Sequence, residues 1–165
     1  MTIRAAVLTV SDKGSRGERA DTSGDAIGEM LEGIGAAIER RDIVPDERWR
    51  IAQVLREWAD GGEFDVIVTT GGTGLSARDV TPEATAEIAE KLVPGIGEAM
   101  RAEGLRHTPK AMLGRGIAVV RGATLIINLP GSEKGVRESL GAVLEVLPHA
   151  VELLRGVTEH PSGGT

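Results

Sequence analysis

A glycine-rich segment between residues 64 and 83, FDVIVTTGGTGLSARDVTPE, contains the residue types of a phosphate and metal site. Gly71, Gly72 and Gly74 lack a Cβ, so the backbone there can adopt positive φ and direct its N–H groups at an anion. Asp79 follows the glycines, and carboxylate oxygens such as those of Asp79 are ligands that hard metal cations prefer. The segment therefore predicts a phosphate-binding loop with a carboxylate beside it for a divalent cation.

The glycines stand between an apolar strand and a helix. The β-branched run from Val66 to Val68 is typical of a strand buried on both faces of a parallel sheet. Thr81, Pro82 and Glu83 indicate a helix start, with a capping hydroxyl, a proline at the first helical position and an acid in the first turn. Because Thr81 is assigned the cap, Asp79 has no evident structural role.

Two better-known phosphate loops do not fit this segment. A P-loop ends in Gly-Lys-Ser/Thr, and no lysine follows these glycines. Residues 72 to 77 match the dinucleotide fingerprint G-x-G-x-x-A, but the helix signal comes only at Thr81. Residues 91 to 95 also offer no acid that could bind a ribose. A nicotinamide-binding oxidoreductase is therefore a weakly supported alternative.

Three further loops follow predicted strands and contain candidate ligands. Ser11 and Asp12 open one loop, Asp46 lies in the next, and residues 128 to 132 join a strand to the last helix. Ser11 and Asp12 could merely satisfy local backbone donors, and Asp46 could cap a helix. Taken alone, those explanations are better for the first two loops. Ser132 is explained equally well as a cap or as a phosphate ligand at a helix N-terminus.

The surrounding sequence alternates strand and helix patterns. Strands are predicted at residues 3–10, 37–44, 64–70, 117–121 and 124–129, and helices at 22–33, 51–58, 82–91, 94–102 and 140–154, the last with a bend at Pro148. This alternation indicates a single α/β domain, with a mostly parallel sheet and helices on both faces. Gly122-Ala123 predicts a hairpin, so one strand should be antiparallel. Ligands of such sheets bind beyond the carboxyl ends of the strands, where the candidate loops lie.

Length and composition describe an ordinary soluble globule. The 165 residues are 41% hydrophobic and carry a net charge of -6. Aromatic residues make up only 2% and the basic residues are scattered, so nucleic acid is not an expected partner. No Cys, no membrane-length apolar run and no signal peptide are evident, and the protein is expected to be cytoplasmic with no membrane contact.

Together and in this order, the segments resemble the molybdopterin adenylyltransferases of molybdenum cofactor biosynthesis, the Mog and MoaB-like group. The resemblance covers nearly the whole chain. It is strongest over TTGGTG, which ends at Gly74, and RDVTPEAT, and is supported by SD at 11–12, VPDE at 44–47, PGIGEAMR at 94–101 and NLPGS at 128–132. It implies one molybdopterin-binding domain over residues 1–157, followed by a glycine-rich tail at 158–165 that we expect to be disordered.

The resemblance implies that the protein transfers AMP from ATP to the terminal phosphate of molybdopterin, releases pyrophosphate and uses Mg²⁺. It assigns the two essential aspartates of the family to Asp46 and Asp79, as catalytic residues and metal ligands. Carboxylates that hold Mg²⁺ there would offset the charge of the phosphates that must meet. The alternative is a non-catalytic carrier or scaffold that binds molybdopterin without turnover.

The same resemblance divides the other candidate residues between the two substrates. The nucleotide phosphates are assigned to Gly71, Gly72, Thr73 and Gly74, and Thr70 is counted among the binding residues of the same site. The pterin phosphate or its neighbour is assigned to Pro130, Gly131 and Ser132, and the pocket is completed by Ser11 and Asp12. The resemblance further implies a homotrimer or homohexamer and a transient contact with the molybdate-inserting protein.

Overall fold

The structure is a computed structural model that describes residues 2–156, in which strands and helices alternate. The strands are β1 (Arg4–Val10), β2 (Ala37–Val44), β3 (Val66–Thr70), β4 (Lys91–Leu92), β5 (Ala118–Arg121) and β6 (Thr124–Leu129). The helices are α1 (Asp12–Ser15), α2 (Thr22–Glu32), α3 (Arg48–Asp60), α4 (Thr81–Glu87), α5 (Pro94–Leu105), α6 (Glu133–Val143) and α7 (Leu147–Leu154). Short 3-10 turns lie at Pro109–Leu113 and Leu144–Val146. The predicted tail at 158–165 lies outside the described residues.

The strands of the described region form one six-stranded sheet in the order β2-β1-β3-β6-β5-β4. Strands β2, β1, β3 and β6 are paired in parallel, whereas β5 is antiparallel to both β6 and β4. Gly122 in the β5–β6 turn has φ +58°, which favours glycine. The mostly parallel sheet with one antiparallel strand is therefore confirmed.

Apolar side chains cover both faces of this sheet. Successive residues of β1 alternate, with Ala5 and Val7 in one apolar cluster and Ala6 and Leu8 in the other. The first cluster includes side chains of α2, α5, α6 and α7, and the second includes side chains of α3 and α4. Every residue of β3 is buried, and the strand is central as predicted. No helix within residues 2–156 is long and apolar enough to cross a membrane.

The predicted helix over residues 82–91 is wrong at its end. The helix α4 stops at Glu87, and Lys91 and Leu92 form the edge strand β4. The Glu90 N–H donates to the Val120 carbonyl at 2.9 Å, which draws the chain onto β5. A two-residue strand made by tertiary pairing leaves no periodic pattern that the sequence could reveal.

The last helix also differs from the prediction of a continuous element over residues 140–154. It starts earlier, at Glu133, and is interrupted by the 3-10 turn at Leu144–Val146. Pro148 lies in the first turn of α7, where a helix tolerates a residue without an N–H. In the interior of a continuous helix over residues 140–154, the same proline would break the helix. The proline therefore causes a break just upstream of itself.

A buried carboxylate at Asp65 links the first strand to the end of α7. Its side chain is only 3% exposed and accepts hydrogen bonds from the guanidinium groups of Arg4 at 3.3 Å and Arg155 at 3.0 Å. Burial acts to raise the pKa of Asp65, but the hydrogen bonds from Arg155 and Arg4 outweigh it and hold the pKa at about 2. The carboxylate is therefore ionised and paired at neutral pH.

We expect Asp65→Asn to lower the free energy of unfolding at pH 7 by about 3 kcal/mol, because two guanidinium groups lose their partner. The folded pKa of about 2 lies below the usual 3.8, so the ionised carboxylate contributes stability above pH 3.8 that is lost as the pH falls towards 2. Urea unfolding should therefore show a smaller difference from the wild type at about pH 2.5 than at pH 7. The exposed Asp60–Arg121 pair supplies the control, since Asp60→Asn should cost less than about 1 kcal/mol. Equal losses in the two variants would contradict this assignment.

Candidate phosphate and metal site

A cavity of about 490 Å³ opens at the carboxyl ends of β1, β2, β3 and β6. Parallel strands place the loops that follow them along one edge of the sheet, which is why segments distant in sequence meet there. Most of the predicted site residues line this cavity, namely Ser11, Asp46, Thr70, Gly71, Gly72, Asp79, Gly131 and Ser132. The remaining predicted residues, Asp12, Thr73, Gly74 and Pro130, do not line it.

Two positions of the glycine loop after β3 require glycine. Gly71 and Gly72 adopt φ values of +103° and +69°. A Cβ on Gly71 would collide with the Val10 carbonyl oxygen, and a Cβ on Gly72 would collide with Thr81 Oγ1. A Cβ on Gly131 would lie 3.3 Å from Gly71 Cα, so the loops after β3 and β6 touch through their glycines. The cavity floor is therefore bare backbone, as an anion cradle requires.

Asp46, in the loop after β2, and Asp79, near the end of the glycine loop itself, both lie close to the glycines. Asp46 Oδ1 lies 3.2 Å from the position of a Cβ on Gly72, and Asp79 Oδ2 lies 2.8 Å from that of a Cβ on Gly74. Burial raises the pKa of Asp46, and the charges of Asp12 and Asp79 raise it further. The two cavity carboxylates therefore repel one another, a repulsion that a bound cation would relieve.

Asp12 holds Asp46 in place and does not line the cavity. The Asp12 N–H donates to Asp46 Oδ2 and the Asp46 N–H donates to Asp12 Oδ1, each at 2.9 Å. The guanidinium of Arg78 donates to both oxygens of Asp12 at 2.8 Å. The hydrogen bonds that the Asp12 carboxylate accepts, first those from Arg78 and then the one from the Asp46 N–H, lower the pKa of Asp12 to about 2. The alternative in which Asp46 caps α3 is excluded, because Glu47 occupies that position without a side-chain bond.

Thr81 does not cap α4, contrary to the prediction. It is the first residue of the helix, and its N–H donates to the Gly72 carbonyl at 3.1 Å. Within the described part of the chain, its buried hydroxyl has no hydrogen-bond partner. Asp79, which was predicted to lack a structural role, accepts a hydrogen bond from the Ser76 N–H at 3.0 Å through Oδ2. The other carboxylate oxygen of Asp79, Oδ1, is not used by this hydrogen bond and can still coordinate a metal ion.

The two candidate serines cap helices. Ser11 Oγ accepts from the Gly14 N–H at 2.9 Å, and Ser132 Oγ accepts from the Gly135 N–H at 3.0 Å. Ser11 therefore satisfies a local backbone donor and Ser132 caps α6, as the simpler explanations for these two residues proposed. Ser132 nevertheless keeps the N-terminus of α6 directed at the cavity, where N–H groups favour an anion.

Two predicted residues face away from this cavity. Thr73 and Pro130 line a second, more apolar cavity of about 240 Å³ between α5, the following 3-10 turn and α6. The Pro130 carbonyl accepts a hydrogen bond from the Thr70 hydroxyl at 2.6 Å, which ties the loops after β3 and β6 together. The glycine loop therefore forms a wall between two cavities, which the sequence pattern did not reveal.

Sequence reasoning missed several groups at the main cavity. Asp21 lines it, caps α2, and accepts hydrogen bonds from the Thr9 hydroxyl and from Arg41. Arg19 brings a basic side chain to the same wall. The charged stretch from Lys13 to Asp21 was the available signal, but it could not distinguish these residues from their neighbours.

The carboxylate oxygens of Asp46 and Asp79 are suited to hold Mg²⁺ together with a bound phosphate group. Residues 2–156 contain no group of three or more His, Cys, Asp or Glu side chains able to enclose a metal ion. Mg²⁺ usually binds through one or two carboxylates, with substrate phosphates and water completing its shell. Asp46 and Asp79 offer that number beside the backbone of the glycine loop.

An α/β sheet with a glycine loop and two carboxylates at its carboxyl edge is an arrangement typical of proteins that bind phosphate-containing ligands. Comparison with protein families narrows this class. Residues 6–149 match the family described as "Probable molybdopterin binding domain". The chain belongs to that family, as the sequence motifs predicted.

Similar proteins cover almost the whole chain. It is 45% identical over 157 residues to a molybdopterin adenylyltransferase of Helicobacter pylori J99, an alignment that spans 94% of this chain and 89% of that protein. The crystal structure of the molybdopterin biosynthesis enzyme MoaB from Thermus thermophilus superposes with a TM-score of 0.88 at 58% identity, covering 93% and 97% of the two chains. The tungsten cofactor synthesizing protein MoaB from Pyrococcus furiosus gives 0.84 at 34% identity, covering 93% and 98%.

Proposed function

We propose that this protein is a molybdopterin adenylyltransferase, which transfers AMP from ATP to the phosphate of molybdopterin and releases pyrophosphate. The observation that carries the proposal is that Asp46 and Asp79 face one glycine cradle in one cavity. The name and the extent of the Helicobacter pylori relative support the same activity. The reaction requires several phosphates to approach one another, and this cavity combines an anion cradle with groups suited to a cation.

The glycine loop is proposed to bind the nucleotide phosphates. The N–H groups of Gly72 and Thr73 find no acceptor among residues 2–156. Such N–H groups in a positive-φ turn are suited to phosphate oxygens. Gly131 lies against Gly71, so a pterin phosphate at the start of α6 would be adjacent to them. The molybdopterin phosphate and the α-phosphate of ATP would thereby be held close together, and this proximity would lower the barrier to the reaction.

The chemical step needs little from side chains beyond positioning and charge. An oxygen of the molybdopterin phosphate would form a bond to the α-phosphorus of ATP, and the bond from that phosphorus to pyrophosphate would break. The attacking phosphate is ionised at neutral pH, so no general base is required. Asp46 and Asp79 would hold Mg²⁺, which when bound would offset charge on the phosphate oxygens and the leaving pyrophosphate. Asp12 and Arg78 would keep Asp46 oriented.

Purified protein with ATP and molybdopterin should form adenylylated molybdopterin and pyrophosphate in equal amounts, and only when Mg²⁺ is present. Chromatography of the pterin product and an enzymatic pyrophosphate assay would measure both. Omission of Mg²⁺ is the control. Tight binding of molybdopterin without either product would contradict adenylyl transfer and would favour a non-catalytic carrier.

An oligomer, either a trimer or a hexamer, belongs to the same proposal. Leu105, Met112 and Leu113, in α5 and the following turn, are large apolar side chains at least 46% exposed. Association would remove such surface from water. Cytoplasmic location and transient contact with a molybdate-inserting protein stay predictions.

A further inference from the structure

Arg115 holds both ends of the glycine loop, although it lies 36 residues from Asp79 in the sequence. Its Nε donates to the Gly74 carbonyl at 2.9 Å, and its Nη2 donates to the Asp79 carbonyl at 2.8 Å. Its backbone N–H donates to the Thr73 carbonyl at 3.0 Å. A single residue therefore fixes the segment that starts with the phosphate cradle and ends with the candidate metal ligand.

Glu83 anchors the guanidinium of Arg115 to α4. The Arg115 Nη1 atom lies 2.9 and 2.7 Å from the two carboxylate oxygens of Glu83, and this pairing lowers the pKa of Glu83. The helix also touches the loop at its first residue, since the Thr81 N–H donates to the Gly72 carbonyl. The loop is thereby tied to a rigid helix at its beginning and at its end.

The turn that carries Asp79 keeps its internal shape by other means. The Ser76 N–H donates to Asp79 Oδ2, and the Asp79 N–H donates to the Ser76 carbonyl at 2.9 Å. These two bonds close the turn without Arg115. What the guanidinium adds is the position of this closed turn relative to α4, and so relative to the cavity that Asp79 shares with Asp46.

We infer that Arg115 is a positioning residue, which keeps the Asp79 carboxylate in the cavity that it shares with Asp46 by clamping the backbone of the glycine loop to Glu83. The inference rests on the proposed function for the reaction that it would affect. The planar guanidinium can reach two carbonyls and a carboxylate at once, whereas an ammonium group has no such fixed fork. Groups behind metal ligands typically change affinity or activity by about 10- to 100-fold when they are removed.

The test compares Arg115→Gln and Arg115→Lys with Arg121→Gln. Arg121 has the same kinds of partners, a carboxylate in Asp60 and the Ile88 carbonyl. It lies at the end of β5, which is the amino edge of the parallel strands and so is opposite the cavity. Each guanidinium is thus hydrogen-bonded to a carboxylate and to backbone carbonyl oxygen, two carbonyls for Arg115 and one for Arg121, and the main difference is the distance from the site.

We expect Arg115→Gln to lower kcat by about 10- to 100-fold and to raise the Mg²⁺ concentration at half-maximal rate, with an unchanged KM for molybdopterin. Arg121→Gln should leave all three quantities unchanged, even if both variants lose similar stability in urea. Arg115→Lys can keep the pair with Glu83 but not both carbonyl bonds, so we expect it to regain stability more than kcat. If Arg115 had a purely structural role, stability and kcat would instead recover together in Arg115→Lys.

Two results would overturn the inference or the proposed function separately. If the wild type turns over and Arg115→Gln keeps its kcat and Mg²⁺ dependence, Arg115 is only structural. If the wild type forms no product, the proposed function fails, and calorimetric titration with Mg²⁺ and ATP decides the inference instead. At least about tenfold weaker binding in Arg115→Gln than in Arg121→Gln would support the positioning role, and equal binding would contradict it.

Discussion

Asp79→Asn should lower kcat for adenylyl transfer by about 10³-fold and leave the fold intact. The amide has the volume of the carboxylate, and its oxygen can still accept the hydrogen bond from the Ser76 N–H. It lacks the charge that would hold a cation beside the phosphates. Loss of about 4 kcal/mol of charge stabilisation in the transition state corresponds to that factor, because each 1.36 kcal/mol is tenfold in rate.

Single-turnover formation of adenylylated molybdopterin, measured with Mg²⁺ at saturation, is the appropriate assay. Asp42→Asn is the matched control, since Asp42 also accepts a hydrogen bond from a backbone N–H but does not line the main cavity. The control should keep the wild-type rate, and both variants should unfold at the wild-type urea concentration. A rate for Asp79→Asn within a few-fold of the wild type would exclude Asp79 as a ligand of the catalytic cation.

Much of the fold could be predicted because its signals are local. The apolar run of Val66 to Val68 identified the central strand, and the turn at Gly122 identified the antiparallel hairpin. Residues 91–92 could not be assigned, because their strand is exposed and exists through pairing with β5. The break before Pro148 was predicted one turn too late, because the proline acts on the residues that precede it.

The candidate site could be predicted in part, for the same physical reason. Gly71, Gly72 and Asp79 lie together in one segment, and the parallel sheet rule brings Asp46 to the same edge. Whether a side chain faces the cavity or supports a neighbour depends on contacts between distant segments, such as the Asp12–Asp46 bonds across 34 residues. Arg115 lies in no motif, so only the folded chain reveals its bonds to the glycine loop.

Gly71→Ala should lower the free energy of unfolding by at least about 4 kcal/mol, and so prevent the site from forming. Two costs add at this position. An alanine at φ +103° is strained by about 1–3 kcal/mol, and its Cβ would also collide with the Val10 carbonyl oxygen in β1. The clash is with backbone of a central strand, which cannot move aside without disturbing its pairing with β2 and β3.

Gly62→Ala separates these two costs. Gly62 has φ +70°, but a Cβ there would have no heavy atom within 4 Å, so only the conformational strain of about 1 kcal/mol applies. Urea unfolding of both variants measures the difference, which should be about 3 kcal/mol. Equal destabilisation would mean that the loop relaxes away from Val10, and the cradle would then be too soft to hold phosphates by backbone alone. A large difference would show that the glycine loop is rigidly seated on β1, as positioning of phosphate by bare N–H groups requires.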